Sequence, residues 1–143
     1  MKTKHHAHKV KDLFQAAKKV RMKAHAPYSK FKVGAAILDE KGRIHVGCNV
    51  ENSSYGGTIC AERAAITAMV AAGGTQVRDI VVVTDTPNGC PPCGFCRQVL
   101  LEFESKSLEH PTMVHISHTR AIRDSVPLKV LLPYGFDESY LDR

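Results

Sequence analysis

Residues 79–85 constrain the possible folds more than any other segment of the chain. They read DIVVVTD, in which four apolar residues follow one another. A strand with one face in water alternates apolar and polar side chains, whereas a continuous apolar run is typical of a strand buried on both faces. We therefore expect a sheet that is covered on both sides, which helix-on-helix packing alone does not provide.

The neighbouring segments predict an α/β protein. Residues 31–38 and 43–50 have β-like composition and flank a turn at 39–42 (DEKG), which predicts a hairpin. Further strands are expected at 112–118 and 119–123, helices at 11–24, 60–72 and 93–104, and a last helical turn at 127–132. This order indicates a mixed sheet with helices on both sides. The length of 143 residues predicts a single domain over residues 1–143.

The positive charge is confined to one end of the chain. The net charge is +6, but residues 1–32 carry ten Lys and Arg against one acid, Asp12, which gives +9. Residues 33–143 carry ten Lys and Arg against thirteen acids, which gives −3. We interpret residues 1–10 as a flexible basic tail. Because the body of the protein is mildly acidic, the overall charge is a weak argument for nucleic-acid binding.

The sequence shows no targeting or membrane segment. No apolar run approaches the roughly 20 residues of a membrane span, and no apolar segment follows Lys2 and Lys4 as in a secretory signal. The five cysteines, an odd number, argue against a disulfide framework. They favour metal-binding or catalytic thiols in a reducing compartment, which predicts a cytoplasmic protein.

Three cysteines are spaced as metal ligands. Cys93 and Cys96 lie three residues apart at the start of a predicted helix, so both sulfurs can face one point, and Cys60 begins the preceding helix. Zinc accepts thiolates in tetrahedral geometry, and three protein ligands leave a fourth position for water. The alternative is a closed structural site with a fourth cysteine. Cys90 is a stronger candidate for that ligand than Cys48, which lies in an apolar strand.

Glu62 favours a catalytic over a structural zinc site. It lies two residues after Cys60. In a structural site it would be an arbitrary residue on a helix surface. Beside a zinc-bound water, it can take a proton and return it to a leaving group.

These motifs resemble those of a known family. The segment CAER at residues 60–63, followed by PCGFCRQ at 92–98, is similar to the zinc-dependent cytidine deaminases, specifically the small three-cysteine type. Further stretches match in the same order: FKVGAA at 31–36, GCNVEN at 47–52 and LLP at 131–133, with Phe136 just after. The resemblance extends from about Tyr28 to Phe136. It implies a three-layer α-β-α sandwich around a mixed sheet of about five strands.

The resemblance implies a hydrolytic deaminase of pyrimidine salvage. Cys60, Cys93 and Cys96 would hold one Zn²⁺ per subunit, and a zinc-bound hydroxide would attack C4 of free cytidine or deoxycytidine. Glu62 would protonate N3 and then the departing amine, giving uridine or deoxyuridine and ammonia. Arg63 would donate hydrogen bonds to the ligand sulfurs and withdraw some of the negative charge of three thiolates.

The resemblance also assigns the contacts to the nucleoside. Phe31 would pack against the pyrimidine or the sugar, and Ala61 would line the same pocket. Asn49 and Glu51 would hydrogen-bond the ribose 3′-hydroxyl; they are two residues apart in an extended segment, so their side chains face the same side. A carboxylate at the 3′-oxygen disfavours a 3′-phosphate. This argues for free nucleosides and against nucleic acid.

Assembly is the last property that the resemblance implies. The small members of the family are homotetramers in which a pocket borrows residues from neighbouring subunits. The matching positions here are Ser53, Tyr55 and Phe136, the last as an aromatic lid over the base.

Three other interpretations stay open at this point. The substrate of the same scaffold could be another aminopyrimidine nucleoside, such as blasticidin S. The basic residues 1–32 could belong to a nucleic-acid-binding or editing protein, although polynucleotide deaminases generally have histidine at the position of Cys60. A non-catalytic zinc module is the third, and it predicts that Glu62→Gln changes nothing measurable.

Overall fold

Five strands of the described chain form one mixed sheet. The computed structural model describes the backbone of residues 2–141 and the side chains of residues 9–141. The strands are β1 (Gly34–Asp39), β2 (Ile44–Cys48), β3 (Val77–Thr84), β4 (Met113–His118) and β5 (Ala121–Pro127). Their spatial order is β2-β1-β3-β4-β5. Only β3 and β4 run parallel; the other neighbours are antiparallel.

Four helices and two short 3₁₀ turns complete the described chain. The helices are α1 (Lys2–Arg21), α2 (Ala61–Ala71), α3 (Gly94–Glu102) and α4 (Leu128–Leu131). The 3₁₀ turns are Tyr55–Gly57 and Glu138–Tyr140. Among the described residues, no helix combines the length and the apolar character of a membrane span.

The strand β3 occupies the middle of the sheet, as its apolar run predicts. Every residue of β3 except Arg78 is buried. Its side chains alternate between two cores: Val81 and Val83 pack with α1, while Ile80 and Val82 pack with α2 and α3. The predicted α/β class, with helices on both sides of a mixed sheet, is therefore confirmed.

The helix α1 differs most from its predicted bounds. It covers residues 2–21 instead of 11–24, and Leu13 and Ala17 are fully buried against the sheet. Because the side chains of residues 1–8 lie outside the described residues, the flexibility predicted for residues 1–10 stays a prediction.

The strand bounds differ where side chains take over backbone hydrogen bonds. The strand β1 begins at Gly34 and not at Phe31, because the Phe31 amide donates to Ser29 Oγ (3.0 Å) and the Val33 amide to Asn49 Oδ1 (2.8 Å). At the other end, β5 is longer than the predicted 119–123, and Pro127 ends it. Pro127 thus precedes α4 as its N-cap and is not its first residue.

Candidate metal centre and substrate cavity

The three predicted ligands meet where two helices begin. Cys60 is the N-cap of α2, Cys93 is the N-cap of α3, and Cys96 lies in the first turn of α3. Neither N-cap residue uses its side chain to cap its helix, so both sulfurs are available to a ligand. The three sulfurs lie within 4.8 Å of one another.

The geometry of this cluster fits zinc. The Cys60 and Cys93 sulfurs are 3.8 Å apart. Four thiolate-type bonds of about 2.3 Å in a tetrahedron place neighbouring sulfurs about 3.8 Å apart, so little rearrangement is needed. Cys96 is buried, Cys60 half-buried and Cys93 exposed, which gives the site one open side. Three sulfurs and an open side match a zinc site that keeps one position for water.

The two remaining cysteines lie outside the cluster. Among the described residues, the grouping of metal-ligating atoms contains neither Cys48 nor Cys90. The sulfur of Cys90 instead lies 3.5 Å from the Thr86 hydroxyl. The closed four-cysteine site is therefore not formed.

Glu62 is buried directly beside the cluster. Its side chain is in the first turn of α2, and the residue is only 5% exposed. Burial, together with the negative charge of the Cys60 thiolate, raises the pKa of Glu62 to about 7, although hydrogen bonds from its own backbone amide and from Cys96 act in the opposite direction. A carboxyl group with this pKa exchanges protons readily near neutral pH.

Arg63 places a cation against the thiols. Its Nη2 lies 3.6 Å from Cys60 Sγ and donates to the Thr58 carbonyl oxygen at 3.2 Å. A hydrogen bond from Cys96 and the Arg63 guanidinium together lower the pKa of the Cys60 thiol to about 5. The guanidinium carbon also lies 5.6 Å from the centre of the Phe95 ring, so Arg63 spans from α2 to α3.

The two residues predicted to bind the ribose, Asn49 and Glu51, hydrogen-bond to a loop that follows α1. Glu51 Oε1 accepts hydrogen bonds from the amides of Tyr28 (2.9 Å) and Ser29 (3.1 Å). Asn49 donates from Nδ2 to the Phe31 carbonyl oxygen at 2.8 Å. Both residues therefore hold the loop over residues 28–33 against the chain, and Phe31 projects from it with 37% of its surface exposed.

A cavity of about 450 Å³ lies beside this loop. Its lining residues are Tyr28, Ser29, Glu51, Tyr55 and Thr58. The volume is in the range of small-ligand sites. One lining residue, Thr58, precedes Cys60 by two residues, and its carbonyl oxygen accepts the hydrogen bond from Arg63; the three thiols themselves are not among the lining residues. A second cavity, of about 440 Å³, lies by the loop at 104–111 and contains none of the predicted site residues.

The residues expected to serve neighbouring subunits are exposed. Tyr55 has 75% of its surface exposed and packs edge-on against Tyr28. Ser53 is exposed in the loop before it. Phe136 is 57% exposed and stacks on Tyr140. Ala61, also predicted to line the pocket, is fully buried in the core.

Three residues near the site were not singled out from the sequence. Arg97 donates to the carbonyl oxygens of Pro92 (2.7 Å) and Leu131 (2.8 Å), which ties the loop before Cys93 to α4. Gln98 donates to the Phe136 carbonyl oxygen at 2.7 Å. Both belong to the matched motif at 92–98, which was the available signal. The third, Ser29, lies one residue after the start of the resemblance.

An α-β-α sandwich that presents three thiols and a buried glutamate at two helix ends defines the class of metal-binding hydrolase sites that zinc occupies. The comparisons with known proteins agree. The family model for the cytidine and deoxycytidylate deaminase zinc-binding region matches residues 7–109. The chain belongs to this family.

Curated relatives and solved structures cover almost the whole chain. The chain is 41% identical over 132 residues to a cytidine deaminase of Sporosarcina psychrophila, covering 92% of this chain and 94% of the relative. It is 40% identical over 124 residues to one of Halalkalibacterium halodurans, covering 87% and 91%. The crystal structure of a cytidine deaminase from Burkholderia pseudomallei superposes with a TM-score of 0.79 at 41% identity, covering 87% of this chain and 97% of that one. The corresponding Mycobacterium tuberculosis structure gives a TM-score of 0.71 at 38% identity, covering 89% and 96%.

Proposed function

We propose that this protein hydrolytically deaminates free cytidine and deoxycytidine to uridine and deoxyuridine, with release of ammonia. The observation that carries the proposal is the buried Glu62 carboxyl beside three converging thiols. The names of the relatives and of the superposed structures support the same reaction.

Glu62 moves the protons of the reaction. Zinc held by Cys60, Cys93 and Cys96 supplies Lewis-acid activation of water when it is bound. Because the pKa of Glu62 is raised to about 7, its carboxylate can take one proton from water and give it to N3 of the base, and can then take the remaining hydroxyl proton and give it to the departing amine. Its burial keeps bulk water from competing for that proton.

Arg63 helps to keep the Cys60 thiol in its charged form. Three thiolates and a divalent metal carry a net charge of −1, and a guanidinium 3.6 Å from Cys60 Sγ offsets it. This is the role that hydrogen-bonding partners of metal ligands generally have.

The cavity beside the thiols holds the nucleoside. Asn49 and Glu51 bind the ribose 3′-hydroxyl, and Phe31 packs against the ring. Ala61 is fully buried, so its place in the lining of the pocket stays a prediction. The Glu51 carboxylate lines the cavity, and a 3′-phosphate bound against it would meet a like charge. We therefore propose free nucleosides, and no polynucleotide, as substrates.

We further propose a homotetramer in which Ser53, Tyr55 and Phe136 complete the pocket of a neighbouring subunit. The support is that two of these are large aromatic side chains exposed in the single subunit. An odd number of cysteines, none of them in a disulfide in the described structure, suits a reducing compartment, and we propose a cytoplasmic enzyme of pyrimidine salvage.

A substrate panel tests the proposal. Protein of known zinc content is given cytidine, deoxycytidine, blasticidin S and a cytosine-containing single-stranded oligonucleotide, and the fall in ultraviolet absorbance and the release of ammonia are followed. We expect turnover of the two free nucleosides at least tenfold faster than of the other two. Faster turnover of blasticidin S would instead assign the enzyme to that antibiotic, and equal turnover of the oligonucleotide would overturn the nucleoside preference.

A further inference from the structure

Phe95 is an exposed aromatic residue between two of the predicted zinc ligands. It lies in the first turn of α3, after Cys93 and directly before Cys96, and 76% of its surface is exposed. Within the described part of the chain it belongs to neither hydrophobic core. Packing in the core therefore does not explain its place, and its contact with the Arg63 guanidinium is the feature to account for.

The polar contacts of Arg63 hold only one end of its guanidinium group. Nη2 donates to the Thr58 carbonyl oxygen at 3.2 Å and lies 3.6 Å from Cys60 Sγ. At the other end, Nε is buried and has no hydrogen-bond partner among the described residues. A guanidinium group is a rigid plane with donors along its edges, so contacts at one nitrogen leave the far end of the plane to be held by something else.

The Phe95 ring supplies that further contact. The guanidinium carbon of Arg63 lies 5.6 Å from the centre of the ring, within the roughly 6 Å over which a cation is attracted to an aromatic face. Arginine also stacks on aromatic faces through its flat, weakly hydrated guanidinium group. The contact joins the helix that begins after Cys60 to the helix that carries Cys96. Fixing a flexible cation beside the thiols before the metal arrives reduces the entropy lost on binding.

We propose that Phe95 is a positioning residue of the metal centre: its ring holds the guanidinium group of Arg63 against the Cys60 sulfur, and it thereby strengthens zinc binding. The inference rests on the proposed function, in which Arg63 offsets the negative charge of the thiolates. Phe95 acts through Arg63 alone. It is not among the residues that line the cavity, so it leaves nucleoside binding unchanged.

The test measures zinc affinity in variants that keep or remove the aromatic ring. The zinc dissociation constant of the full-length protein is determined by competition with a chromogenic chelator. Phe95→Leu keeps an apolar side chain but loses the ring, and we expect it to bind zinc about twofold to fivefold more weakly. Phe95→Tyr keeps the ring and should bind zinc as the wild type does. KM of the zinc-loaded Phe95→Leu enzyme for deoxycytidine should stay within about twofold of the wild-type value.

A double-mutant cycle shows whether the ring acts through Arg63. If it does, Phe95→Leu should weaken zinc binding in the wild-type background and cause no further weakening in the Arg63→Gln background. The control is Leu108→Ala, which removes an apolar side chain that is 96% exposed in the loop at 104–111, outside the thiol cluster. It should bind zinc as the wild type does.

Failure of the inference and failure of the proposed function give different results. If the wild type turns over deoxycytidine but Phe95→Leu binds zinc normally, or loses the same factor with and without Arg63, the inference is wrong and the proposed function stands. A raised KM with unchanged zinc affinity would instead make Phe95 a substrate contact, which also overturns the inference. If the wild type binds zinc and the cycle shows coupling, but neither nucleoside is turned over, the proposed function alone is wrong. A wild type that binds no zinc overturns both.

Discussion

Arg63 places a cation beside the thiol cluster. It contacts Cys60 and, across the cluster, the Phe95 ring of the other helix. We expect Arg63→Gln to keep the fold but to weaken zinc binding about tenfold, because the thiolates lose their neighbouring cation. Competition with a chromogenic chelator measures this directly.

The control for this variant is Arg78→Gln. It removes an equally charged side chain that is exposed on β3, so it tests the effect of net charge alone. If both variants hold zinc as the wild type does, Arg63 has no part in stabilising the thiolates.

The three cysteine ligands and the buried glutamate could be predicted from the sequence, whereas the position of Ser29 could not. The spacing of Cys60, Cys93 and Cys96 limits where their sulfurs point once two helices begin there, so a sequence motif is sufficient. The position of Ser29 depends on the left-handed turn at Lys30 and on a contact with Glu51, 22 residues away. No local pattern reports such a contact.

At the scale of elements, the close approach of β2 to α2 positions the metal-binding helix. A side chain on Gly47 would place its Cβ 2.5 Å from the Ala61 carbonyl oxygen and 2.8 Å from Ala64 Cβ. We expect Gly47→Ala to lower the free energy of unfolding by about 1–3 kcal/mol, since the helix must move or the backbone must strain. Urea unfolding measures the change.

Gly56→Ala is the matched substitution, since a Cβ there meets nothing within 4 Å. It should change the stability by less than about 0.5 kcal/mol. Equal effects of the two substitutions would show that the approach of β2 to α2 is not tight.

The β1–β2 hairpin depends on a buried carboxylate. Burial alone would raise the pKa of Asp39, but hydrogen bonds from His45, Arg43 and the amides of residues 41 and 43 lower it to about 2. Its charged form therefore stabilises the folded state above the unfolded pKa of 3.8, and this contribution disappears as the pH falls from about 4 to 2. We expect Asp39→Asn to cost about 2 kcal/mol at pH 7 and progressively less below pH 4.

Urea unfolding of wild type and variant between pH 7 and pH 3 measures this dependence. Asp12→Asn, at an exposed position on α1, is the control and should show no such trend. A difference between Asp39→Asn and wild type that stays constant over the whole pH range would contradict the assignment.

The element bounds show what local patterns could and could not predict. The burial of β3 could be predicted, because its apolar run indicates burial from the local sequence alone. The predicted start of β1 was three residues too early. The amide of residue 31 donates to the side chain of Ser29, and the amide of residue 33 donates to that of Asn49, 16 residues away. The local sequence pattern indicates neither contact. The length of β5 depends on its pairing with β4. The composition of residues 123–126 does not indicate that pairing.

At the scale of the whole molecule, the exposed aromatic residues make assembly testable. If Phe136 completes a neighbour's pocket, Phe136→Ala and Glu62→Gln are each inactive for different reasons. In a mixed tetramer, a subunit with an intact Glu62 can borrow Phe136 from a Glu62→Gln neighbour. When the two inactive variants are refolded together in equal amounts, half of the subunits have an intact Glu62, and half of their neighbours have an intact Phe136. We therefore expect about one site in four to regain activity.

Sedimentation of the mixture checks that tetramers have formed. Activity no greater than the sum of the two separate variants, in a mixture shown to be tetrameric, would contradict pockets shared between subunits.

The positive charge is distributed unevenly over the molecule. The +9 of residues 1–32 lies on α1 and the loop after it, while the thiols lie in a body of charge −3. The cavity is lined from both parts, by Tyr28 and Ser29 of the basic segment and by Glu51, Tyr55 and Thr58 of the body. The helix α1 covers the sheet face opposite to α2 and α3, which carry the thiols. The positive charge that α1 carries therefore lies across the sheet from the thiols.

Glu62 is proposed to move protons beside a zinc ion, and the Glu62→Gln variant removes that ability alone. Zinc content, the dissociation constant for deoxycytidine and the rate of ammonia release are measured on the same preparation. We predict that kcat falls by at least about a hundredfold while zinc stays bound, because the amide cannot exchange a proton. Turnover close to that of the wild type, with zinc retained, would contradict the account.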